Sequence, residues 1–106
     1  MRDFKKYDVW QKSHELTLKI FDVTKSFPNE EKFRITSQMQ RAAYSIPSNF
    51  AEGCGRQSDK DFDRFLQICL GSAHELEYFM ILTKDLNLIS EIIHDETSVE
   101  INIIKM

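Results

Sequence analysis

The sequence of 106 residues predicts an all-α protein, an antiparallel up-and-down four-helix bundle whose second helix is kinked. Two observations favour this fold. Apolar residues recur at steps of three and four in four consecutive stretches, which is the spacing of one helix face. The chain also has only three Gly and two Pro, too few turn signals for an all-β protein. At this length we expect a single domain, residues 1–106, with one hydrophobic core.

The first helix is predicted over residues 8–26, where one apolar face comprises Val9, Ser13, Leu16, Ile20, Val23 and Phe27. A second stripe flanks this face and comprises Trp10, His14, Leu18 and Phe21. Two adjacent stripes suggest a helix that contacts more than one neighbour, as in a bundle or an oligomer. Pro28 ends this segment, because the residue before a proline disfavours the helical conformation.

The second helix is predicted over residues 30–54, with an apolar side formed by Ile35, Met39, Ala42, Ala43, Ile46 and Phe50. Two starting points are open: Asn29 as the cap, or Thr36 or Ser37 after a short irregular stretch. Pro47 lies inside the periodic pattern, where it removes a backbone hydrogen bond, so we expect a bend there. Gly53 and Gly55 end the helix.

The third helix is predicted over residues 59–86, because Ser58 followed by Asp61 is a capping pattern ahead of a long periodic stretch. Asn87 is a plausible left-handed residue at its end. At Gly71 we expect another helix to pack closely. The fourth helix is predicted over residues 90–105. There Val99, Ile101 and Ile103 also alternate like a strand, but a lone strand would have no partner within the chain.

The net charge is −3, and its distribution is uneven. Residues 1–64 hold twelve Lys and Arg against ten acids, whereas residues 65–106 hold two against seven. A polyanion would therefore have to meet the first half of the chain. No apolar stretch approaches the roughly 20 residues that span a bilayer, and the N-terminus lacks a signal peptide's apolar segment, so we expect no membrane contact and a cytoplasmic protein. Cys54 and Cys69 are interpreted as reduced thiols.

Catalytic patterns are scarce. A carboxylate-bridged metal pair in a bundle needs two Glu-x-x-His motifs, and only Glu91 with His94 fits one. No Ser lies in a Gly-x-Ser-x-Gly elbow, and no phosphate-binding Gly-rich loop follows a strand. We therefore expect a protein that is not an enzyme, with no catalytic residue, metal site or cofactor.

Four polar residues follow one side of the second helix at steps of four, four and three: Arg41, Ser45, Asn49 and Glu52. One interpretation is an ordinary solvated face. The other is a network buried between helices or subunits, where every polar group needs a partner. Arg56 and Glu75 could complete such a network.

Several segments together resemble the family of four-helix-bundle proteins named for the intervening sequences of 23S ribosomal RNA. The matching segments run from about residue 4 to residue 90 and comprise Val9-Trp10-Gln11-Lys12, Phe27-Pro28, Ser37 to Ala43, Ser45 to Gly53, Arg56 and Gly71 to Glu77. The stretch from Ser45-Ile46-Pro47-Ser48-Asn49 through Glu52-Gly53 is the most specific. After residue 90 the sequence diverges from the family pattern.

This resemblance implies a homo-oligomer, a homopentameric ring, that is associated with ribosomal or another RNA. Related accessory proteins of diversity-generating retroelements use such a ring to engage RNA and a reverse transcriptase, although those relatives are basic and this chain is acidic overall. The family's structural or assembly positions correspond to Arg41, Ser45, Asn49, Glu52, Gly53, Arg56, Gly71, Ser72 and Glu75.

Two kinds of partner follow from this resemblance and from the charge distribution. For an RNA partner, the expected phosphate contacts from the more basic half are Lys5, Lys6, Lys12, Arg34, Arg41, Arg56, Lys60 and Arg64. The alternative is a scaffold that binds another protein, without nucleic-acid contact, through its acidic second half and exposed residues such as Phe4 and Tyr7.

Overall fold

The computed structural model describes residues 2–106, which form four α-helices and no strand. The helices are α1 (Asp8–Thr24), α2 (Ser37–Cys54), α3 (Asp59–Asp85) and α4 (Glu91–Lys105). Helices α1 and α3 each pack against both α2 and α4. Short connections join consecutive helices, so neighbours run antiparallel. The predicted all-α, up-and-down four-helix bundle is confirmed.

The start of the second helix differs from its predicted position at residue 30. Asn29–Glu31 form a 3₁₀ turn, Lys32–Thr36 form a π-helical turn, and α2 begins only at Ser37. The helix thus begins after an irregular stretch, as the second alternative predicted, but no side chain forms a capping hydrogen bond at either proposed start. The Ser37 N–H already donates to the carbonyl of Lys32, so the first turn of α2 does not need a capping side chain there. The other three helices differ from their predicted ranges by at most two residues.

Local signals delimit α3 and α4. Ser58 Oγ accepts a hydrogen bond from the Asp61 N–H at 3.1 Å, and Ser90 Oγ accepts one from the Ile93 N–H at 3.1 Å. After α3, Asn87 adopts a φ of 61°, the left-handed conformation that Asn tolerates better than most residues. Capping and a left-handed residue together turn the chain from α3 into α4.

The kink in α2 occurs around Pro47, which lies inside the helix and is buried. Pro47 has no N–H, so the carbonyl of Ala43 loses its helical donor. Thr17 Oγ1 on α1 lies 3.2 Å from this carbonyl and 2.8 Å from the carbonyl of Ser13. The single hydroxyl proton of Thr17 is therefore shared between the carbonyls of Ser13 and Ala43, and it partly replaces the missing backbone donor.

The core lies between all four helices. Its largest fully buried apolar side chains are Leu16, Ile20, Met39, Ile46, Leu76, Met80 and Ile101. Two aromatic residues close one end of the bundle: Phe4 packs against Trp10 with ring centroids 5.0 Å apart, and Tyr7 packs against Phe50 at 5.3 Å. Of the two residues considered above as a docking surface, Phe4 is half-buried, whereas Tyr7 remains exposed although its ring contacts Phe50.

Candidate functional site

The polar residues of the second helix lie along the boundary between the second and third helices. We call it the α2–α3 groove and define it by Arg41, Ser45, Asn49, Glu52, Gly71, Ser72 and Glu75. At its floor the hydroxyl oxygens of Ser45 and Ser72 are 2.7 Å apart, and Asn49 Nδ2 donates to the carbonyl of Ser45 at 2.7 Å. These three side chains are half-buried. The floor therefore satisfies its own hydrogen bonds and joins α2 to α3.

The rim of the groove is different. Arg41 and Glu75 are exposed, and neither forms an ion pair with any other residue in the range 2–106. Gly71 is also exposed, and a β-carbon built there would meet nothing within 4 Å. The close helix contact expected at Gly71 is thus wrong for the single chain. It occurs instead at Gly53, where a β-carbon would lie 2.8 Å from Cβ of Phe65.

Glu52 and Arg56 form a separate pair at the end of α2. Arg56 Nη2 donates to Glu52 Oε1 at 3.2 Å, and both side chains are largely solvent-exposed. A pair of this kind contributes only a few tenths of a kcal/mol, roughly 0.3 to 0.5. The predicted network does not form as a single unit within one chain, because Arg56 joins Glu52 while Glu75 joins neither.

Arginine side chains stack on two phenylalanine rings where α2 ends and α3 begins. The guanidinium carbons of Arg56 and Arg64 lie 4.9 and 4.5 Å from the ring centre of Phe65. Arg2, which sequence reasoning missed, lies 4.0 Å from the ring centre of Phe62. A planar guanidinium on an aromatic face keeps its hydrogen-bond donors at the edge, where they can reach an anion.

Five of the predicted phosphate contacts lie at this end of the bundle, together with Arg2. We call this the basic end; its predicted residues are Lys5, Lys6, Arg56, Lys60 and Arg64. Carboxylates are interleaved with them: Arg2 pairs with Asp59 at 2.6 Å and Arg64 pairs with Asp61 at 3.4 Å. The positive potential of one copy is therefore weak.

The other three predicted contacts are dispersed. Lys12 lies in the second turn of α1, near the basic end, and pairs with Asp8 at 2.9 Å. Arg34 pairs with Glu31 at 3.5 Å in the π-helical turn before α2, at the opposite end of the bundle. Arg41 lies on the rim of the α2–α3 groove. The eight cations therefore do not form one continuous surface on a single chain.

Comparison with known proteins identifies the family. The family described as 23S rRNA-intervening sequence protein matches residues 5–106, so the match continues through α4, beyond residue 90 where we expected the family pattern to end. The chain belongs to this family. A similar solved structure is the crystal structure of a protein with unknown function from the S23 ribosomal protein family of Bacteroides thetaiotaomicron VPI-5482. It is 31% identical, the match covers 92% of this chain and 91% of that chain, and the TM-score is 0.84. None of the curated proteins matches the chain significantly.

In this member of the 23S rRNA-intervening sequence family, both thiols are free and buried. Burial raises the pKa of Cys54, and it raises the pKa of Cys69 to about 11. Cys69 Sγ donates a hydrogen bond to the carbonyl of Ile46 at 3.3 Å. A thiol with such a pKa stays protonated near neutral pH and is a poor nucleophile. We therefore interpret Cys69 as a core residue.

The single Glu-x-x-His motif lies in the first turn of α4. His94 Nδ1 is 3.0 Å from Asp95 Oδ1, an exposed carboxylate. Over residues 2–106 no three His, Cys, Asp or Glu side chains are grouped as metal ligands. None of the helices in that range has both the length and the apolar composition to cross a bilayer.

The sequence analysis did not predict the ion pairs that join α4 to α1 and α3. Lys19 Nζ on α1 lies 2.6 Å from Glu100 and 3.3 Å from Glu96, and Lys105 Nζ lies 3.1 Å from Glu77 on α3. Burial acts to lower the pKa of Lys19, but the hydrogen bonds and charges of Glu100 and Glu96 outweigh it and raise that pKa above its ordinary value. These partners are far apart in the chain, so no local pattern could have indicated them.

Proposed function

We propose that this protein is a non-enzymatic homo-oligomer, a ring of several copies, that assembles through the α2–α3 groove and binds RNA at the basic end. The observation that carries this proposal is the rim of the groove, where Arg41 and Glu75 are exposed and unpaired among residues 2–106. Both are positions of the family motif, which the resemblance associates with assembly.

The groove has the properties of a subunit contact. Its floor, Ser45 and Ser72, is held by internal hydrogen bonds, so it is preformed. Its rim offers one cation, one anion and an open position at Gly71, into which another molecule can approach closely. Arg is enriched in protein interfaces, and a charged pair across an interface gives specificity.

Association with RNA is supported by the basic end and by the family's name. The stacked guanidinium groups of Arg2, Arg56 and Arg64 can contact phosphates or unstacked bases. A single copy offers a weak site because carboxylates surround these cations. Repetition of the site in a ring raises the effective concentration and so multiplies the affinity.

Light scattering of the purified protein tests assembly, and we expect a mass of several chains. Gly71→Leu should reduce that mass, because a β-carbon at this exposed position meets nothing within 4 Å in its own chain, whereas a leucine would obstruct a second copy that docks there. The matched control is Asp63→Leu, which adds the same side chain at an exposed position eight residues before Gly71, about two turns away along α3. A monomeric wild-type protein would refute the assembly proposal.

RNA titration at about 50 and about 200 mM salt tests the second part, and affinity should fall steeply with salt because phosphate contacts release counterions. Lys5→Glu with Lys6→Glu should weaken binding. Lys25→Glu with Lys32→Glu, at the other end of the bundle, changes the net charge equally and should have less effect.

An affinity for RNA that is absent or insensitive to salt would refute phosphate contacts at the basic end. A protein partner captured with comparable yield before and after nuclease treatment would then favour the alternative, an oligomeric scaffold that binds protein without nucleic acid.

A further inference from the structure

A cavity opens between the helices on the side of the bundle where α4 is too short to cover all of α3. Helix α4 has 15 residues and α3 has 27, so α3 is about 18 Å longer. All four helices contribute to the wall of the cavity, and its volume is about 450 Å³. We call this space the end cavity and define it by Tyr7, Ser13, Phe50, Phe62, Leu66 and Lys105. Its volume lies within the range of small-molecule sites in proteins.

One part of the wall is aromatic. The ring of Phe50 packs edge to face against Tyr7 and Phe62, with ring centroids 5.3 and 6.0 Å apart and interplanar angles of 66° and 69°. Another ring in the cavity would extend this arrangement, which aromatic pairs prefer to face-to-face contact. A flexible chain of the same size would lose more conformational freedom on binding. The wall therefore favours an aromatic ligand.

The charge in the wall is already balanced. Among residues 2–106, Lys105 is the one charged side chain that lines the cavity, and its Nζ lies 3.1 Å from Glu77 Oε1. A ligand carboxylate would have to compete with Glu77, and a ligand cation would lie beside Lys105. Moving a charge from water into an apolar site without a counter-ion of its own is unfavourable. The cavity therefore favours an uncharged ligand.

A buried hydroxyl group in the wall can orient such a ligand. Ser13 is 1% exposed and lines the cavity. Its Oγ donates to the carbonyl of Trp10 at 3.0 Å, so the proton is committed while the lone pairs of the oxygen can still accept a hydrogen bond. A single acceptor among apolar side chains selects a ligand that has an N–H or O–H donor.

We propose that the end cavity binds one uncharged aromatic molecule of one or two rings, which donates a hydrogen bond from an N–H or O–H group to Ser13 Oγ. None of the residues that define the α2–α3 groove lines the end cavity. This binding site is therefore distinct from the proposed assembly surface, and it depends on neither self-assembly nor RNA binding.

Indole is a suitable probe, because it is uncharged, has two fused rings and carries one N–H. Titration of the full chain, followed by methyl NMR, should show saturable binding with a dissociation constant of about 1 mM or tighter. The methyl resonances of Ile46 and Ile104, which line the cavity, should shift, whereas that of the exposed Ile92 should not. Benzofuran has the same shape without the N–H, so it should bind about three- to tenfold more weakly. Indole-2-carboxylate should also bind more weakly than indole.

Two variants locate the site. Ser13→Ala should reduce the affinity for indole to that for benzofuran and should leave the affinity for benzofuran unchanged. Leu66→Trp should abolish the binding of indole, because the larger side chain occupies the cavity. Its matched control is Leu18→Trp, which adds the same side chain at a position that is 58% exposed and outside the cavity, and which should bind indole like the wild type.

The absence of saturable indole binding to the wild-type protein would overturn the proposal, as would equal binding by Leu66→Trp and Leu18→Trp. Equal affinities of the wild type for indole and benzofuran would refute the hydrogen bond to Ser13. Tighter binding of indole-2-carboxylate than of indole would refute an uncharged ligand. The comparison of the three compounds needs only the wild-type protein, so it decides the question even if Leu66→Trp does not fold.

Discussion

The hydroxyl of Thr17 should stabilise the fold more than an ordinary helical threonine does, because it serves a carbonyl that Pro47 leaves without a donor. Thr17→Val removes this hydroxyl and keeps the shape of the side chain. Ala43 is 1% exposed and Thr17 is 8% exposed, so water cannot readily replace the lost hydrogen bond. The carbonyl of Ala43 would be left buried and unsatisfied.

An unsatisfied buried acceptor costs about 1 to 3 kcal/mol, so we expect Thr17→Val to lower the free energy of unfolding by about that amount. For a domain of this size, about 1 kcal/mol corresponds to a decrease of roughly 4 °C or more in the thermal midpoint. Equilibrium urea unfolding, followed by circular dichroism at one fixed protein concentration, measures the change.

A double-mutant cycle with Pro47→Ala tests whether the carbonyl of Ala43 accounts for the stability lost in Thr17→Val. Alanine restores an N–H at position 47, which can donate to Ala43, so Thr17→Val should cost less in this background. We expect a coupling energy of about 1 kcal/mol between the two changes. The quantity to compare is the loss of unfolding free energy caused by Thr17→Val in the wild-type protein and in Pro47→Ala.

The matched control is Thr83→Val. Thr83 is fully buried and donates to the carbonyl of Phe79 at 2.7 Å, but that carbonyl lies in an uninterrupted helix and keeps its backbone donor. Thr83→Val should therefore lower the free energy of unfolding less than Thr17→Val does. If the two changes cost the same, or if the cycle shows no coupling, the Thr17 proton belongs to the carbonyl of Ser13 and the argument about Ala43 is refuted.

Three further changes test other features of the fold by the same urea measurement. Gly53→Ala should lower stability by about 1 to 3 kcal/mol, because its β-carbon would overlap with α3; an unchanged midpoint would mean that the two helices separate easily. Thr97→Val should raise stability by about 1 kcal/mol, since Thr97 Oγ1 is buried without a hydrogen-bond partner in residues 2–106; a loss of stability would contradict this. Cys69 has a pKa raised by burial from 9.0 to about 11, so above pH 9 the unfolded chain loses a proton that the folded chain keeps, and stability falls as pH rises. This contribution should reach about 1 kcal/mol near pH 10 and be absent in Cys69→Ala; equal slopes in both proteins would show that Cys69 is not responsible.

The candidate site was only partly predictable. The resemblance named the motif residues, and helical spacing placed Arg41, Ser45, Asn49 and Glu52 on one side of α2. That spacing left both a solvated face and a buried network open, because it says nothing about α3. The structure divides the set: Ser45 and Asn49 join the floor of the groove, whereas Arg41 stays at the exposed rim.

The sequence by itself determined the four helical segments, apart from the start of α2, because periodicity and caps act over a few residues. Ser58 ahead of α3 and Asn87 after it are local signals that operate wherever the helix packs. The periodic apolar positions Leu16, Ile46 and Leu76 are buried, as their places on the apolar faces of α1, α2 and α3 predict.

Only the tertiary structure decided which side of α4 is buried. That helix has two apolar stripes, one through Thr97 and Ile101 and one through Ile92, Val99 and Ile103, and hydrophobicity alone cannot choose between them. The choice follows from packing against α1 and α3, with the ion pairs of Lys19 and Lys105 holding α4 in that orientation. Such contacts join residues far apart in the chain, so they exist only once the bundle has formed, and they leave the second stripe facing outward.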